Sequence, residues 1–129
     1  MKTKKRIPYI WLGPIVTLGI MFVLYWAGGI YPFGTATTAF ADGVAQYIPF
    51  LSEFSRKITE GGSLFFSWNI NNGINFWTTI GYYLANPINI ISVFFSPAEM
   101  DKCFALLTLI KPSIMALTFG IFLKHTYKK

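Results

Sequence analysis

Two long apolar segments set the strongest limit on how this 129-residue chain folds. The first runs from Ile7 to Ile30 without a charged residue, and the second runs from Cys103 to Leu123 with Lys111 as its one charge. Because a helix rises about 1.5 Å per residue, about 20 residues are enough to cross a hydrocarbon core of about 30 Å. Each segment is therefore predicted to be a membrane-spanning helix.

The charged residues are divided between the middle and the ends of the chain. The acidic residues all lie between the apolar segments, at Asp42, Glu53, Glu60, Glu99 and Asp101. The charged residues that precede the first segment or follow the second are all basic, at Lys2, Lys4, Lys5, Arg6, Lys124, Lys128 and Lys129. Since Lys and Arg are retained on the cytoplasmic side of short membrane segments, both ends are predicted to be cytoplasmic and the middle extracytoplasmic.

These two patterns predict an all-α integral membrane protein with both ends in the cytoplasm. It has two transmembrane helices joined by a long extracytoplasmic loop that contains short amphipathic and interfacial helices. The predicted parts are a basic tail at 1–6, a first span at 7–30, the loop at 31–102, a second span at 103–123 and a basic tail at 124–129.

The composition supports membrane lipid, and not nucleic acid, as a partner. Charged residues make up 12% of the chain, about half the usual share of a soluble domain. The net charge of +6 arises mostly from basic residues that flank the apolar segments, which is typical of membrane anchors and leaves no basic stripe for nucleic acid. The single cysteine, Cys103, has no partner within the chain for a disulfide.

A cleaved signal peptide is the alternative interpretation of the first segment. Ala39-Phe40-Ala41 has the A-x-A form of a cleavage site, and a mature chain would then begin at Asp42. However, the apolar run is much longer than the usual 7–15 residues of a signal peptide. The sequence therefore favours a retained span.

The middle of the chain is predicted to form short helices. Tyr47, Phe50, Leu51 and Phe54 recur at steps of three and four, which gives residues 39–59 an apolar helical face. The charged residues of this stretch, Glu53, Arg56, Lys57 and Glu60, are predicted to form its solvated face.

Residues 77–95 are predicted to form two short interfacial helices, because Asn86-Pro87 divides the run. Ser96 is predicted to cap a helix that continues into the second span, with Pro97 at its first position and Glu99 at its third.

Asp42 is the candidate catalytic residue because it follows the first span closely and would lie just above the outer membrane surface. A carboxylate at that place can act as a general base toward a hydroxyl group or bind a cation. The alternative is that Asp42 caps the helix that follows it. Gln46 and Tyr47 lie one turn further along and are candidate substrate contacts.

Further candidate substrate contacts are aromatic or amide side chains, which suit sugar hydroxyls and rings but also suit turns and membrane interfaces. They are Trp68, Asn72, Tyr82 and Tyr83, within a stretch that also contains Asn69, Asn71 and Asn75.

Lys111 is a candidate contact for the phosphate of a lipid-linked donor or for an acidic partner, because intramembrane charges usually face a protein interior or a cavity. Its alternative role is to extend to the membrane surface.

No cofactor is predicted from the sequence. A lone histidine, His125, has no neighbouring ligand residues for a metal. The sequence shows no cluster of oxygen ligands, although it leaves a divalent cation open.

Several ordered motifs together carry a family resemblance. They are Tyr31-Pro32-Phe33-Gly34, Asp42-x-x-x-Gln46-Tyr47-x-x-Phe50, Gly62-Ser63-Leu64 followed by Ser67-Trp68, Tyr82-Tyr83-Leu84-Ala85-Asn86-Pro87-x-Asn89, and Leu109-Ile110-Lys111. In this order and spacing they resemble the amino-terminal region of the bacterial YfhO membrane-protein family.

The resemblance implies a membrane glycosyltransferase of the GT-C type. Such an enzyme moves a sugar from a polyprenyl-phosphate donor to a cell-envelope polymer, such as lipoteichoic acid, at the outer membrane face. In such enzymes an acidic residue of the first outer loop is the usual candidate catalytic group, and here the resemblance assigns that role to Asp42. Where family members often have a glycine-rich run, this chain has the more polar residues 69–75.

The predicted two spans are fewer than the eight or more of GT-C enzymes. The chain is therefore expected to act as the amino-terminal part of a larger enzyme, or together with further transmembrane segments or another membrane subunit. The alternative function is a non-catalytic two-span protein whose outer loop binds a glycan or a membrane-protein partner.

Overall fold

A computed structural model of the chain describes residues 9–127. Most of the basic residues on which the topology prediction rests, at positions 2–6 and 128–129, lie outside this range, as do the first two residues of the predicted first span. The described structure has two parts. A pair of long apolar helices forms one part, and a smaller, mostly helical unit at one end of the pair, called the outer unit below, forms the other.

The long helices are α1, Tyr9–Ala27, and α4, Met100–Thr126. The predicted pair of long apolar helices is thus present. α1 ends before the predicted boundary at Ile30, because Gly28 and the left-handed Gly29 (φ 58°) follow it. α4 is longer than the predicted second span and continues as one helix through Lys111 and Pro112.

α1 and α4 pack as an antiparallel pair through small residues. A Cβ atom placed on Gly13 would lie 3.8 Å from the Cβ of Ala116, and one placed on Gly120 would lie 3.4 Å from the backbone oxygen of Ile10. Near the other end of the pair, the buried Tyr25 hydroxyl donates a hydrogen bond of 2.8 Å to the Ala105 carbonyl. Small residues that allow close backbone approach are typical of helix packing in membranes.

The outward faces of this pair are exposed and apolar. Only 11% of the apolar window in α1 and 17% of that in α4 is buried. Leu12, Val23, Met115 and Phe122 are among the exposed side chains. A core helix of a soluble protein would be mostly covered, whereas a membrane hairpin exposes such faces to lipid or to other helices.

The outer unit is built mainly from short helices, as predicted. A π-helical segment, Gly43–Tyr47, leads into α2, Ile48–Glu60. α3, Phe76–Thr79, continues as a π-helical segment, Ile80–Leu84, and a 3-10 helix, Pro87–Phe94, follows. The division at Asn86 has a local cause, because its side chain accepts a hydrogen bond of 3.0 Å from the Ile88 amide.

The all-α prediction missed a small β-hairpin. Strands β1, Phe66–Ser67, and β2, Ile74–Asn75, pair antiparallel, with Phe66 opposite Asn75. The turn between them contains Asn71, Asn72 and Gly73, all with positive φ, a backbone conformation that Asn and Gly tolerate. The Asn-Gly turn was predicted from the sequence, but two-residue strands are too short to leave a periodic pattern.

α4 is preceded by a short 3-10 helix, Pro97–Glu99, so the helical run begins directly after Ser96, as predicted. The capping contact differs from the prediction. The Ser96 hydroxyl bonds to the Glu99 carboxylate at 3.3 Å, and its side chain caps no backbone amide.

The core of the outer unit rests on the first two turns of α4. Its buried members come from α2, the hairpin, α4 and the helical stretch 76–84, which is called the α3 region below. They are Phe50, Leu51, Ile70, Phe76, Leu84, Met100, Cys103 and Leu107. Phe50 and Leu51 confirm the predicted apolar face of α2. This packing joins the outer unit to the helix that also pairs with α1.

The predicted solvated face of α2 is wrong for two of its four charged residues. Glu53 and Lys57 are each only 5% exposed, whereas Glu60 is exposed and Arg56 is half-buried. The physical reason is that the hairpin, which the sequence did not predict, covers this side of α2.

The connection from α1 to Asp42 turns back tightly on itself. The Tyr31 amide donates to the Ala36 carbonyl, and the Ala36 amide donates to the Gly29 carbonyl, both at 3.0 Å. Gly34 lies directly against the backbone of Gly29, where a Cβ atom would overlap that carbonyl. The loop thereby sets the path that brings Asp42 back toward α4.

Gly34→Ala is expected to lower the free energy of unfolding by about 2 kcal/mol or more, since backbone must shift to admit the methyl group. Gly81→Ala is the matched control, because a Cβ at Gly81 meets nothing within 4 Å and Ala favours a helical position. Thermal unfolding of both variants in detergent measures the difference. Equal stability of the two variants would contradict the close packing at Gly34.

Candidate functional site

Asp42 lies at the junction between the outer unit and α4. It immediately precedes the π-helical segment, whose first residue, Gly43, is buried. A Cβ atom placed on Gly43 would lie 3.5 Å from the Phe104 ring of α4. This contact holds Asp42 beside the first turns of α4, near the end of the helical pair.

The carboxylate of Asp42 does not cap the helix that follows it. Its backbone is already helical (φ −61°, ψ −23°), and its side chain makes no capping hydrogen bond. The first amides of the helix are paired with the preceding backbone. Gly43 donates to the Phe40 carbonyl at 2.8 Å, and Ala45 donates to the Ala41 carbonyl at 3.0 Å. The exposed carboxylate of Asp42 therefore makes no bond to these backbone amides.

A hydrogen-bonded chain runs from Asp42 to a tyrosine of the α3 region. The Gln46 side-chain amide nitrogen lies 3.5 Å from Asp42 Oδ1, at the long limit of a hydrogen bond. The Tyr83 hydroxyl donates to Gln46 Oε1 at 2.7 Å. Gln46 thus links the Asp42 carboxylate to the Tyr83 hydroxyl.

Aromatic rings surround Tyr83. Its ring centroid lies 5.2 Å from that of Tyr47, 4.9 Å from that of Phe50 and 4.7 Å from that of Tyr82, in edge-on arrangements that are favourable for aromatic pairs. Burial, followed by the neighbouring Tyr82, Tyr47 and Asp42, raises the pKa of Tyr83 above its ordinary value of 10. The phenol therefore stays protonated at neutral pH and keeps its donor role toward Gln46.

A cleft of about 480 Å³ opens beside this chain. It lies between the start of α2 and the loop from β1 to the hairpin turn. Its lining residues are Ala45, Gln46, Pro49, Phe50, Asn69, Ile70, Asn71 and Tyr83. All of these side chains are uncharged, and amide groups alternate with aromatic and aliphatic ones.

The structure brings five of the candidate site residues together and leaves three apart. Asp42, Gln46, Tyr47, Tyr82 and Tyr83 form one group.

The three others lie elsewhere. Trp68 is 78% exposed and packs on Phe66, and Asn72 lies in the exposed hairpin turn outside the cleft lining. Lys111 follows Phe104 by seven residues of α4, which places it about 10 Å further along the helix axis.

A buried charge network holds the cleft wall, and the sequence analysis missed it. Glu53 accepts hydrogen bonds from Ser67 Oγ at 2.6 Å, from Asn69 Nδ2 at 3.1 Å and from the Arg56 guanidinium at 2.9 Å. Lys57 lies 3.4 Å from Glu53 and donates to the carbonyls of Ser63 and Phe66. The network therefore ties the hairpin to α2.

The hydrogen bonds to Glu53 determine its charge state. Burial by itself raises the pKa of this carboxyl, but the hydrogen bonds from Arg56, Ser67 and Asn69 and the charge of Arg56 outweigh burial and lower the pKa to about 2. Glu53 is therefore ionised at neutral pH and serves as an acceptor for the hairpin.

One sequence signal could have revealed this network. Gln46, Phe50, Glu53 and Lys57 follow one another at steps of four, three and four, which places all four side chains on one side of the helix. Because Glu53 and Lys57 have opposite charges and share a helix face with the apolar Phe50, this spacing favours a covered face over a solvated face.

The sequence profile of one known family matches nearly the whole chain. The family is described as bacterial membrane protein YfhO, and the match covers residues 14–129. The chain belongs to this family.

Membership in the YfhO family agrees with the two exposed apolar helices and identifies the chain as a bacterial membrane protein. No curated protein matches the chain, and no solved structure does.

Within residues 9–127, no three His, Cys, Asp or Glu side chains come together in a way that would hold a metal ion. The side chains that Asp42 contacts are an amide, that of Gln46, and through it the phenol of Tyr83.

Proposed function

We propose that this YfhO protein forms the first-loop part of a GT-C-like glycosyltransferase, with Asp42 as its general base. The enzyme would move a sugar from a polyprenyl-phosphate donor to a cell-envelope polymer of the lipoteichoic-acid type. The observation that carries the proposal is the position of Asp42. Its exposed carboxylate, free of backbone amides, lies beside an amide-lined cleft at the end of an apolar helical pair.

The proposal includes a membrane orientation. We place the outer unit on the outer face of the bacterial cytoplasmic membrane and both chain ends in the cytoplasm, because the acidic residues lie in the middle and the ends are basic. Asp42 then lies at the outer surface, where a lipid-linked donor presents its sugar.

In the proposed reaction, a hydroxyl group of the acceptor attacks the anomeric carbon of the donor sugar. Asp42 accepts the hydroxyl proton as the new carbon–oxygen bond forms. The bond between the anomeric carbon and the phosphate oxygen breaks at the same time, and its electron pair leaves with the polyprenyl phosphate. Gln46, held by the Tyr83 hydroxyl, keeps the Asp42 side chain in place.

We propose that Lys111 contacts the phosphate of the donor lipid. Phe104, Thr108, Lys111 and Thr118 recur at steps of four, three and seven, which places them on one face of α4. The contacts with α1 use another face, which includes Ala105, Ala116 and Gly120.

The face of α4 that contains Lys111 begins at the proposed site, because the Phe104 ring lies 6.0 Å from the Tyr47 ring, centroid to centroid. From Phe104 this face continues along α4 away from the outer unit. Side chains on a helix lean toward its amino terminus, which for α4 is the end that carries the outer unit. An extended Lys111 side chain would therefore carry its ammonium group toward the outer unit and the headgroup region, where it would meet a lipid phosphate.

Lys111→Met is expected to raise the KM for the lipid-linked donor at least about tenfold, because a charged contact to phosphate contributes roughly 1.5–3 kcal/mol. The matched control is Lys124→Met at the opposite end of α4, which is expected to leave KM within about twofold. Donor titrations in proteoliposomes measure both values. Equal KM values for the two variants would contradict the phosphate contact.

Two helices cannot shield a lipid-linked sugar from water. We therefore propose that further transmembrane segments, or another membrane subunit, complete the site, and that they cover part of the exposed faces of α1 and α4. The test uses the protein as it occurs in the bacterial membrane, purified and reconstituted with a radiolabelled polyprenyl-phosphate sugar and an acceptor polymer. Transfer of label supports the proposal, and its absence with an intact donor would overturn it.

The alternative is a membrane protein whose outer unit binds a glycan or a protein partner without catalysis. The uncharged cleft favours this alternative, because binding alone requires no base. Under it, the protein would bind sugar but transfer no label, and replacement of Asp42 would change neither result.

A further inference from the structure

The cleft beside Asp42 has the chemistry of a saccharide subsite. We propose that it holds one neutral sugar unit, with Asn69 and Asn71 as residues that determine specificity. The proposal deepens the proposed function and rests on it for the class of ligand. It adds which residues contact the sugar and why the ligand at this position carries no charge.

The lining favours a neutral polyhydroxylated ligand. Amide groups of Gln46, Asn69 and Asn71 each offer both donors and acceptors, which match sugar hydroxyls. The rings of Phe50 and Tyr83 provide apolar surface for the C–H faces of a sugar. A phosphate or a carboxylate would need a cationic partner, and the lining contains none.

The volume of the cleft agrees with such a ligand. About 480 Å³ lies within the range of roughly 300–1,000 Å³ that is usual for small-molecule sites. A longer glycan would extend out of the cleft. The cleft would therefore bind a single sugar unit of such a glycan.

Asn69 is held in place before any ligand arrives. One of its side-chain N–H groups donates to Glu53 Oε2 at 3.1 Å, and its backbone amide donates to Ser67 Oγ at 3.2 Å. The carbonyl oxygen of the side chain and its second N–H remain for a ligand. Glu53 acts through Asn69 and is a positioning residue, and such prior ordering lowers the cost of binding.

Asn71 is held by the hairpin turn. Its φ of 46° lies in the left-handed region, as do the φ values of Asn72 (60°) and Gly73 (105°). Backbone held in sparsely populated regions is often found at binding sites. β1 and β2 close this turn, and the Glu53 network ties β1 to α2.

Gln46 connects the subsite to the proposed base. Its side-chain oxygen accepts from Tyr83, its side-chain nitrogen lies 3.5 Å from the Asp42 carboxylate, and the residue lines the cleft. A sugar bound against Gln46 would therefore lie next to Asp42.

Asn71→Asp tests the subsite with a change that preserves shape. Aspartate tolerates the left-handed conformation, but it removes the amide donors and adds a negative charge. The matched control is Asn75→Asp on the same hairpin. Asn75 lies outside the cleft lining and caps the Thr78 amide at 3.3 Å, a role that aspartate also performs.

The measurement is binding of glucose, galactose and N-acetylglucosamine by saturation-transfer NMR, with the full protein in a zwitterionic detergent that has no sugar headgroup. Asn71→Asp is expected to weaken binding of the preferred sugar at least tenfold, and Asn75→Asp to leave it within twofold. Equal effects of the two substitutions, absence of saturable sugar binding, or stronger binding of glycerol phosphate would each overturn the proposal.

A comparison of sugar binding with sugar transfer separates this proposal from the proposed function. Sugar binding that depends on Asn71, without any transfer by the wild type, would leave the subsite valid and refute the enzyme. Transfer at the wild-type rate by Asn71→Asp would refute the subsite and leave the enzyme standing.

Discussion

Asp42→Asn is expected to reduce sugar transfer by a factor of at least about 100, because loss of a general base typically costs 10²–10⁴ in rate. The substitution preserves the shape of the side chain and its acceptor oxygen for Gln46, so the outer unit should remain folded. The carboxylate makes no capping bond that the substitution would remove. Transfer from the labelled donor in proteoliposomes, at saturating donor, measures the loss as a change in kcat.

Asp101→Asn is the matched control for the catalytic assignment. It makes the same chemical change in the first turn of α4, outside the cleft lining, and is expected to keep kcat within about twofold. Thermal unfolding of both variants checks that they fold alike. Wild-type kcat in Asp42→Asn, or an equal loss in Asp101→Asn, would remove Asp42 from the base role.

Glu53→Gln is expected to lower the free energy of unfolding by about 3 kcal/mol, since removal of one partner from a buried ion pair leaves the other charge uncompensated. Lys57 would remain 5% exposed without its carboxylate. Thermal unfolding followed by tryptophan fluorescence measures the effect, because Trp68 and Trp77 both lie in the outer unit.

The control for this prediction is Glu60→Gln in the same helix. Glu60 is exposed and pairs with Arg56 at 2.8 Å, and exposed pairs of this kind contribute less than about 1 kcal/mol. Similar losses of stability in the two variants would contradict the buried network.

The same network predicts the direction of the pH dependence. The pKa of Glu53 is about 2 in the folded chain, against an ordinary value of 4.5. A carboxyl whose pKa is lowered by folding stabilises the protein fully above its ordinary value. That contribution decreases as the pH falls from about 5 toward 2. Wild-type stability should therefore decrease more steeply over this range than that of Glu53→Gln, and parallel curves would argue against the assigned hydrogen bonds.

Much of the site could be predicted from local spacing along the chain. Asp42, Gln46 and Tyr47 lie within six residues, so one helical segment brings them together once it forms. Tyr83 was predicted as a candidate from its type alone, and its hydrogen bond to Gln46 joins residues that are 37 positions apart. Spacing says nothing about such a contact, which depends on how two helices pack.

The capping role of Asp42, in contrast, was favoured by local sequence but is absent from the structure. The residue type and position favour an N-cap, yet Ala41 adopts a left-handed conformation (φ 46°) and the carbonyls of the preceding turn take the first amides. The carboxylate is left free by a backbone arrangement that residue preference does not predict.

The sequence alone determined the two apolar helices, the separation of acidic and basic residues, the turn at Asn72-Gly73 and the family motifs. These features depend on residue type and local periodicity, because hydrophobic length and turn preference act over a few neighbours. Only the tertiary structure decided that Glu53 and Lys57 are buried, that Asn69 and Asn71 line a cleft, and that Trp68 lies apart from it. Those outcomes depend on where a hairpin with two-residue strands docks on α2. That docking is set by the hydrogen bonds from Ser67 and Asn69 to the buried Glu53 carboxylate, which lies 14 and 16 positions earlier in the chain.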